Sequence, residues 1–240
     1  MVANISSEAK LYPIVEKWMK KQFLCFKTAT NTGLRHSRLD VVGVRDVGGD
    51  LSGEIETISI EVKNESEPFA TSCGQALGYK IYANRVYLAD VRKDVFTNDE
   101  IRIASHLGIG LIQIQKNLMC KEILSSPFYA PMLSMNLLLM EKISLGKCQM
   151  CGSIFEIGKR GDRNHWTNLS RESLEKALRD EKGFMFWNYE VAKRKSQSRV
   201  RILKTDTTFE RRYICPDCVY SVMSQMINKK PKKSKKNLKK

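Results

Sequence analysis

The chain has 240 residues, enough for one core of ordinary size and a smaller attachment, since a single domain takes roughly 100–200 residues. A hydrophobic fraction of 42% and a charged fraction of 28% are ordinary for a soluble globular protein and give no compositional argument for wholesale disorder. Forty-one Lys and Arg against 26 Asp and Glu leave a formal charge of +15, which points to a polyanionic partner, nucleic acid before an anionic membrane surface.

The opening MVANISSEAK has no basic segment followed by an apolar one, and no stretch reaches the ~18 apolar residues of a membrane span. An intracellular, cytoplasmic protein off the membrane is therefore expected. Ser6 or Ser7 can cap a first helix in which Leu11, Val15, Trp18 and Met19 recur at helical spacing, with Glu8 in line with Leu11 and Val15. Pro13 either kinks that helix or marks its start, because inside a helix it removes a backbone donor.

Next, LDVVGVRDVGGDLSGEIETISIEVK (39–63) is two β-branched runs around a segment rich in Gly, Asp and Ser, which reads as a hairpin with a long turn. A turn centred between Asp50 and Leu51 sets Asp40 opposite Glu61. Lys63 shares the face of Glu61, while Ile58, Ile60 and Val62 take the other.

After the hairpin, SEPFATSCGQALGYKIYAN (66–84) is a loop leading to a helix that brings Gln75, Ala76, Tyr79 and Tyr82 near one another. RVYLADV (85–91) is a strand. TNDEIRIASHLG (97–108) is a helix with a capping-box pattern at Thr97 and Glu100 and a terminating Gly108, and IGLIQIQ (109–115) is a further strand. This order predicts an α/β domain over 1–116, a mixed central sheet flanked by helices. A Met- and Leu-rich packing helix lies in a connecting segment, 117–147, followed by a smaller domain over 148–227. Within it, RESLEKALRDE (171–181) is helix-like, and the tail NKKPKKSKKNLKK (228–240) reads as disordered, either a solvated run or a nonspecific grip on phosphates.

The tripeptide Glu61-Val62-Lys63 is on its own a frequent pattern of solvated strand faces. Its meaning changes with Asp40 across the hairpin. Two facing carboxylates can hold magnesium or manganese with several waters retained, and the Val62 backbone carbonyl is a third donor. An amine at Lys63 can orient and help deprotonate an attacking water, or stabilise a pentavalent transition state. Glu8 can complete the cation's shell, and Gln75 can place water or phosphate.

Asp40, Glu61, Lys63, Glu8 and Gln75 together resemble the PD-(D/E)xK nuclease superfamily, with its restriction-endonuclease-like fold. The likeness covers roughly residues 6–116: a first-helix carboxylate in SEAKLYPIVEKWM, Asp40 on the preceding strand, EVK, and a helix carrying Gln75 in QALGYK. Leu39 stands where the superfamily's name has Pro. The resemblance implies a metal-dependent DNA endonuclease of restriction or repair type. Its alternatives are a Holliday-junction resolvase, for which a homodimer is the usual assembly, and a noncatalytic zinc-containing nucleic-acid-binding protein.

Seven cysteines without a secretory signal argue against a disulfide scaffold. Cys148/Cys151 and Cys215/Cys218 form two CxxC pairs that look like zinc knuckles and make one closed structural zinc site if the intervening residues form an insertion. The alternative is redox chemistry, although neither pair follows a strand in a thioredoxin-like βαβ unit. Cys25, Cys73 and Cys120 read as buried thiols. His36, His106 and His165 read as isolated, and Trp166, Phe184, Phe186 and Trp187 as core of the small domain. Lys193, Arg194, Lys195, Arg199, Arg201 and Lys204 form either a solvated face or a DNA-phosphate site, and Arg35 and Arg38 offer further phosphate contacts.

Overall fold

The computed structural model describes residues 7–34, 36–48, 54–64, 67–148, 151–156, 184–187, 211–215, 217–218 and 221. The chain divides into two compact units, Met1–Leu145 and Gly146–Lys240. The first is α/β, a six-stranded mixed sheet with helices on both faces.

A 3₁₀ turn, Glu8–Lys10, precedes α1 (Tyr12–Gln22), so Pro13 falls in the first turn of the α-helix, where its missing N–H costs nothing. Glu8 therefore belongs to the entry turn and not to the helix. Strands β1 (Lys27–Gly33), β2 (Arg38–Asp46) and β3 (Ile55–Lys63) form an antiparallel meander. Helix α2 (Phe69–Gly78) leads through a 3₁₀ turn (Tyr79–Ile81) to β4 (Arg85–Val91), which pairs parallel with β3. Helix α3 (Asn98–Leu107) leads to β5 (Gly110–Ile114), again parallel, and β6 (Cys120–Leu124) closes the sheet antiparallel, giving the order β1-β2-β3-β4-β5-β6.

Helix α3 starts at a complete capping box between Thr97 and Glu100 and stops at Gly108, whose φ of 63° suits a residue without Cβ. Two strands escape the sequence pattern. In KTATNTG (β1) no apolar alternation exists, because an edge strand with a wet face needs none, and β6 is only half-buried. The first unit consequently extends past the expected end at 116 through β6 and α4 (Leu133–Lys142) to Leu145.

Two apolar layers hold the sheet. Leu11, Val15, Met19 and Phe23 of the α1 segment pack with Val41, Ile58, Ile60, Val62 and Ile112 on one side. On the other, Ala76 and Tyr79 join Val42, Leu88, Leu111, Ala104 of α3 and Leu139 of α4. Asn136 docks α4, donating to the Thr57 hydroxyl at 2.8 Å and the Tyr82 carbonyl at 2.7 Å. Gly43 lets α1 approach β2 closely: a Cβ there would lie 2.3 Å from Met19 Sδ and 2.7 Å from Cys25 Sγ. Cys25 and Cys73 are buried and Cys120 is half-buried.

From the boundary at Leu145 onward, β7 (Leu145–Lys147) pairs with β8 (Ile154–Glu156) around the first CxxC, and β9 (Phe184–Trp187) pairs antiparallel with β10 (Arg211–Ile214) just before the second. The expected helix at 171–181, His165, Trp166 and the tail at 228–240 lie outside the described residues. Among the described residues no helix is long and apolar enough to cross a membrane.

Candidate functional site

The β2–β3 ladder runs from Val41 facing Ile60 to Asp46 facing Ile55 in one unbroken register, the one counted from the sequence. The ladder ends at Val41 and Ile60, and Asp40, one residue beyond, is near enough for its charge to act on Glu61. The Val62 N–H donates to Asp40 Oδ2 at 2.9 Å, so the carboxylate itself spans the gap between the strand ends. Tyr12, at the start of α1, donates its hydroxyl to Asp40 Oδ1 at 2.7 Å.

Glu61 is bound at both oxygens. Its Oε1 lies 3.0 Å from Lys63 Nζ, and the Tyr79 hydroxyl donates to Oε2 while also lying 2.8 Å from the Arg38 carbonyl. Lys63 Nζ is ringed further by Glu67 at 3.3 Å and Glu8 at 3.8 Å. The Glu61 and Lys63 side chains are each only 7% exposed, so these contacts are made largely out of water. A cleft of about 360 Å³ opens onto this group, lined by Glu8, Asp40, Glu61, Lys63 and Gln75, with Ser37, Arg38 and Tyr79 at its walls.

Charge is unbalanced here in favour of the acids. Burial pushes the Glu61 carboxyl above the usual carboxylate range, the neighbouring Asp40 pushes it further, and the Tyr79 and Lys63 contacts pull back only in part. Glu8 is raised in the same way, by burial and by Asp40, Glu67 and Asp90, against the opposing charge of Lys63. Burial works against the Lys63 charge, but the hydrogen bond and charge of Glu61, with Glu8, outweigh it and hold the amine above its ordinary value. Burial also raises the Tyr79 and Tyr12 hydroxyls, reinforced by the acids around them, so both stay proton donors.

The sequence-derived set of Glu8, Arg38, Asp40, Glu61, Lys63 and Gln75 thus lines a single cleft. Val62 presents its side chain to the opposite apolar layer and its N–H to Asp40. Arg35 and the basic group Lys193, Arg194, Lys195, Arg199, Arg201 and Lys204 lie outside the described residues. Sequence reasoning gave no role to Tyr12, Glu67 or Tyr79. Each stands four positions after a residue it did single out: Glu8, Lys63 and Gln75. For Tyr79 that spacing is one helical turn and was a usable signal, since positions i and i+4 share a helix face.

Each carboxylate oxygen of Asp40 and Glu61 meets one protein partner and, with two lone pairs, retains capacity for a second. Hard oxygen donors of this kind fit magnesium or manganese, which take one or two carboxylates and keep several waters. Among the described residues, one group of three or more metal-type side chains brings its ligand atoms within 4.8 Å of one another: Cys148, Cys151, Cys215 and Cys218. These four cysteines could hold a metal ion such as zinc. Four sulfurs at ~2.3 Å from a tetrahedral zinc stand ~3.8 Å apart, and Cys151 Sγ lies 3.7 Å from Cys215 Sγ.

Backbone geometry supports that cluster. The Cys148 N–H donates to the Ser153 carbonyl at 2.8 Å, the Gly152 N–H returns to the Cys148 carbonyl at 3.0 Å, and Gly152 takes a φ of 78° that closes the knuckle. The Cys215 N–H points at Cys148 Sγ at 3.3 Å. Contact with the Ser153 hydroxyl lowers the Cys151 thiol to about 6, whereas burial raises Cys215 and Cys218, so without a cation the cluster favours one thiolate among thiols.

No family model, no curated protein and no solved structure matches this chain.

Proposed function

We propose that the first unit is a nuclease of the PD-(D/E)xK, restriction-endonuclease-like type, hydrolysing DNA phosphodiester bonds with magnesium or manganese, and that the second carries a structural zinc on its four cysteines. The observation that supports this reading best is the convergence of Asp40, Glu61, Lys63, Glu8 and Gln75 on one cleft at the end of a strand pair. A divalent cation bound there supplies the positive charge that offsets charge building on the phosphate.

The protein's own groups have separable tasks in this reading. Asp40 and Glu61 hold the cation, with the Val62 backbone carbonyl as a further donor and Glu8 toward the outer shell. Lys63, kept charged by its three acidic neighbours, suits electrostatic stabilisation of the phosphate and orientation of the water better than proton abstraction. Exposed Gln75 and Arg38 at the cleft are placed to meet water or phosphate oxygens. The formal charge of +15 favours a nucleic-acid partner.

The test is a cleavage screen on linear, branched and modified DNA with magnesium or manganese, comparing the intact protein with Lys63→Ala. Loss of cleavage with DNA affinity retained supports the nuclease reading. Cleavage confined to branched DNA turns it toward a junction resolvase. DNA binding with no cleavage of any substrate overturns it and leaves a noncatalytic nucleic-acid-binding protein.

A further inference from the structure

Asp40 and Glu61 are each held by a tyrosine, and the two tyrosines arrive from opposite sides of the sheet. Tyr12 packs against the apolar layer under α1 and donates to Asp40 Oδ1 at 2.7 Å. Tyr79 is 4% exposed, belongs to the opposite layer, and donates to Glu61 Oε2. Its hydroxyl is also 2.8 Å from the Arg38 carbonyl on β2, so one phenol ties the Glu61 side chain to the strand that carries Asp40. Without these contacts Asp40 keeps only the Val62 N–H and Glu61 only Lys63, a single anchor each.

On this basis, and resting on the reading of Asp40 and Glu61 as cation ligands, we propose that Tyr12 and Tyr79 are positioning residues that set the separation of the two carboxylates and so the affinity for the divalent ion. Neither hydroxyl needs to touch substrate. Both work through the carboxylate they hold, as hydrogen-bond donors behind metal ligands do, where removal costs about 10–100-fold in metal affinity.

The measurement is Mn²⁺ binding to the full-length, zinc-loaded protein, by titration calorimetry and by loss of the free-ion resonance signal, for wild type, Tyr79→Phe, Tyr12→Phe and Glu61→Gln. Thermal unfolding is recorded for each without manganese. The expected result is a site lost in Glu61→Gln and weakened about 10–100-fold in each phenylalanine variant, with any DNA cleavage restored toward the wild-type maximum at saturating Mn²⁺. A purely structural role would lower the unfolding temperature and leave the affinity alone. Phenylalanine variants within twofold of wild type, while Glu61→Gln loses the site, overturn the positioning role and leave the nuclease reading intact. Wild type that binds no more Mn²⁺ than Glu61→Gln overturns the cation site itself and both proposals with it. Should one phenylalanine variant misfold, the other decides, since the two act on different carboxylates.

Discussion

Replacing Asp40 by Asn should raise the stability of the protein while abolishing its response to manganese. Asp40 is 9% exposed and Glu61 5%, and the Asp40 charge acts on Glu61 strongly enough to help raise its carboxyl. Two like charges ~5 Å apart, the spacing of neighbours on adjacent strands, would repel by about 3 kcal/mol at an effective dielectric constant near 20. Asn is isosteric: its carbonyl can accept from the Val62 N–H and its amide can donate to the Tyr12 oxygen, so both contacts survive. They become neutral hydrogen bonds, each weaker by about 1 kcal/mol than its charged counterpart. The balance is a gain of about 1 kcal/mol, or about 2–4 °C in unfolding temperature for a unit of this size. Wild type at about 100 times its dissociation constant in manganese should gain ~2.7 kcal/mol, about 5–10 °C, and the variant less than about 1 °C. Calorimetry with and without Mn²⁺ reads both. A variant several degrees less stable than wild type would mean that Asp40 is a structural cap for Val62 and Tyr12, and equal manganese shifts in both proteins would remove Asp40 from the cation site.

Glu56 is gripped by Arg45 at 2.6 Å and Arg85 at 2.8 Å, whose hydrogen bonds and charges outweigh the burial that opposes its charge and lower its pKa. Its stabilising contribution is therefore complete above the ordinary carboxylate value and lost as pH falls through the lowered folded value. Glu56→Gln should cost about 1–3 kcal/mol at neutral pH, a difference that closes in urea melts taken at progressively acid pH; a constant difference would refute the ion-pair account. Gly43→Ala should lower stability by about 1–3 kcal/mol through overpacking, because its new methyl group meets Met19 and Cys25; an unchanged denaturation midpoint would mean α1 shifts freely. Elemental analysis should find about one zinc per chain, lost in Cys215→Ser; metal-free protein with four titratable thiols in this cluster would favour redox chemistry.

The alternation in IETISIEVK and the turn signals of residues 48–53 by themselves determined the hairpin and its register, since a one-residue slip would turn Ile58, Ile60 and Val62 to the wrong face. The same holds for α3, whose cap residues Thr97, Glu100 and Gly108 act within a single turn of chain. Local signals of this kind need no knowledge of the rest of the molecule. Strands β1 and β6 were not legible, because an edge strand is recruited by the backbone donors and acceptors of its neighbour and carries little pattern of its own. Only the tertiary structure brought Tyr12 to Asp40, Tyr79 to Glu61 and Glu67 to Lys63, for these pairings depend on where a helix start, a 3₁₀ turn and a loop land against the end of the sheet. The same is true of the cysteines: the two CxxC pairs were visible as pairs, but the chain between Cys151 and Cys215 has no local signal for its return. Closure to within 4.8 Å is a property of the folded unit alone.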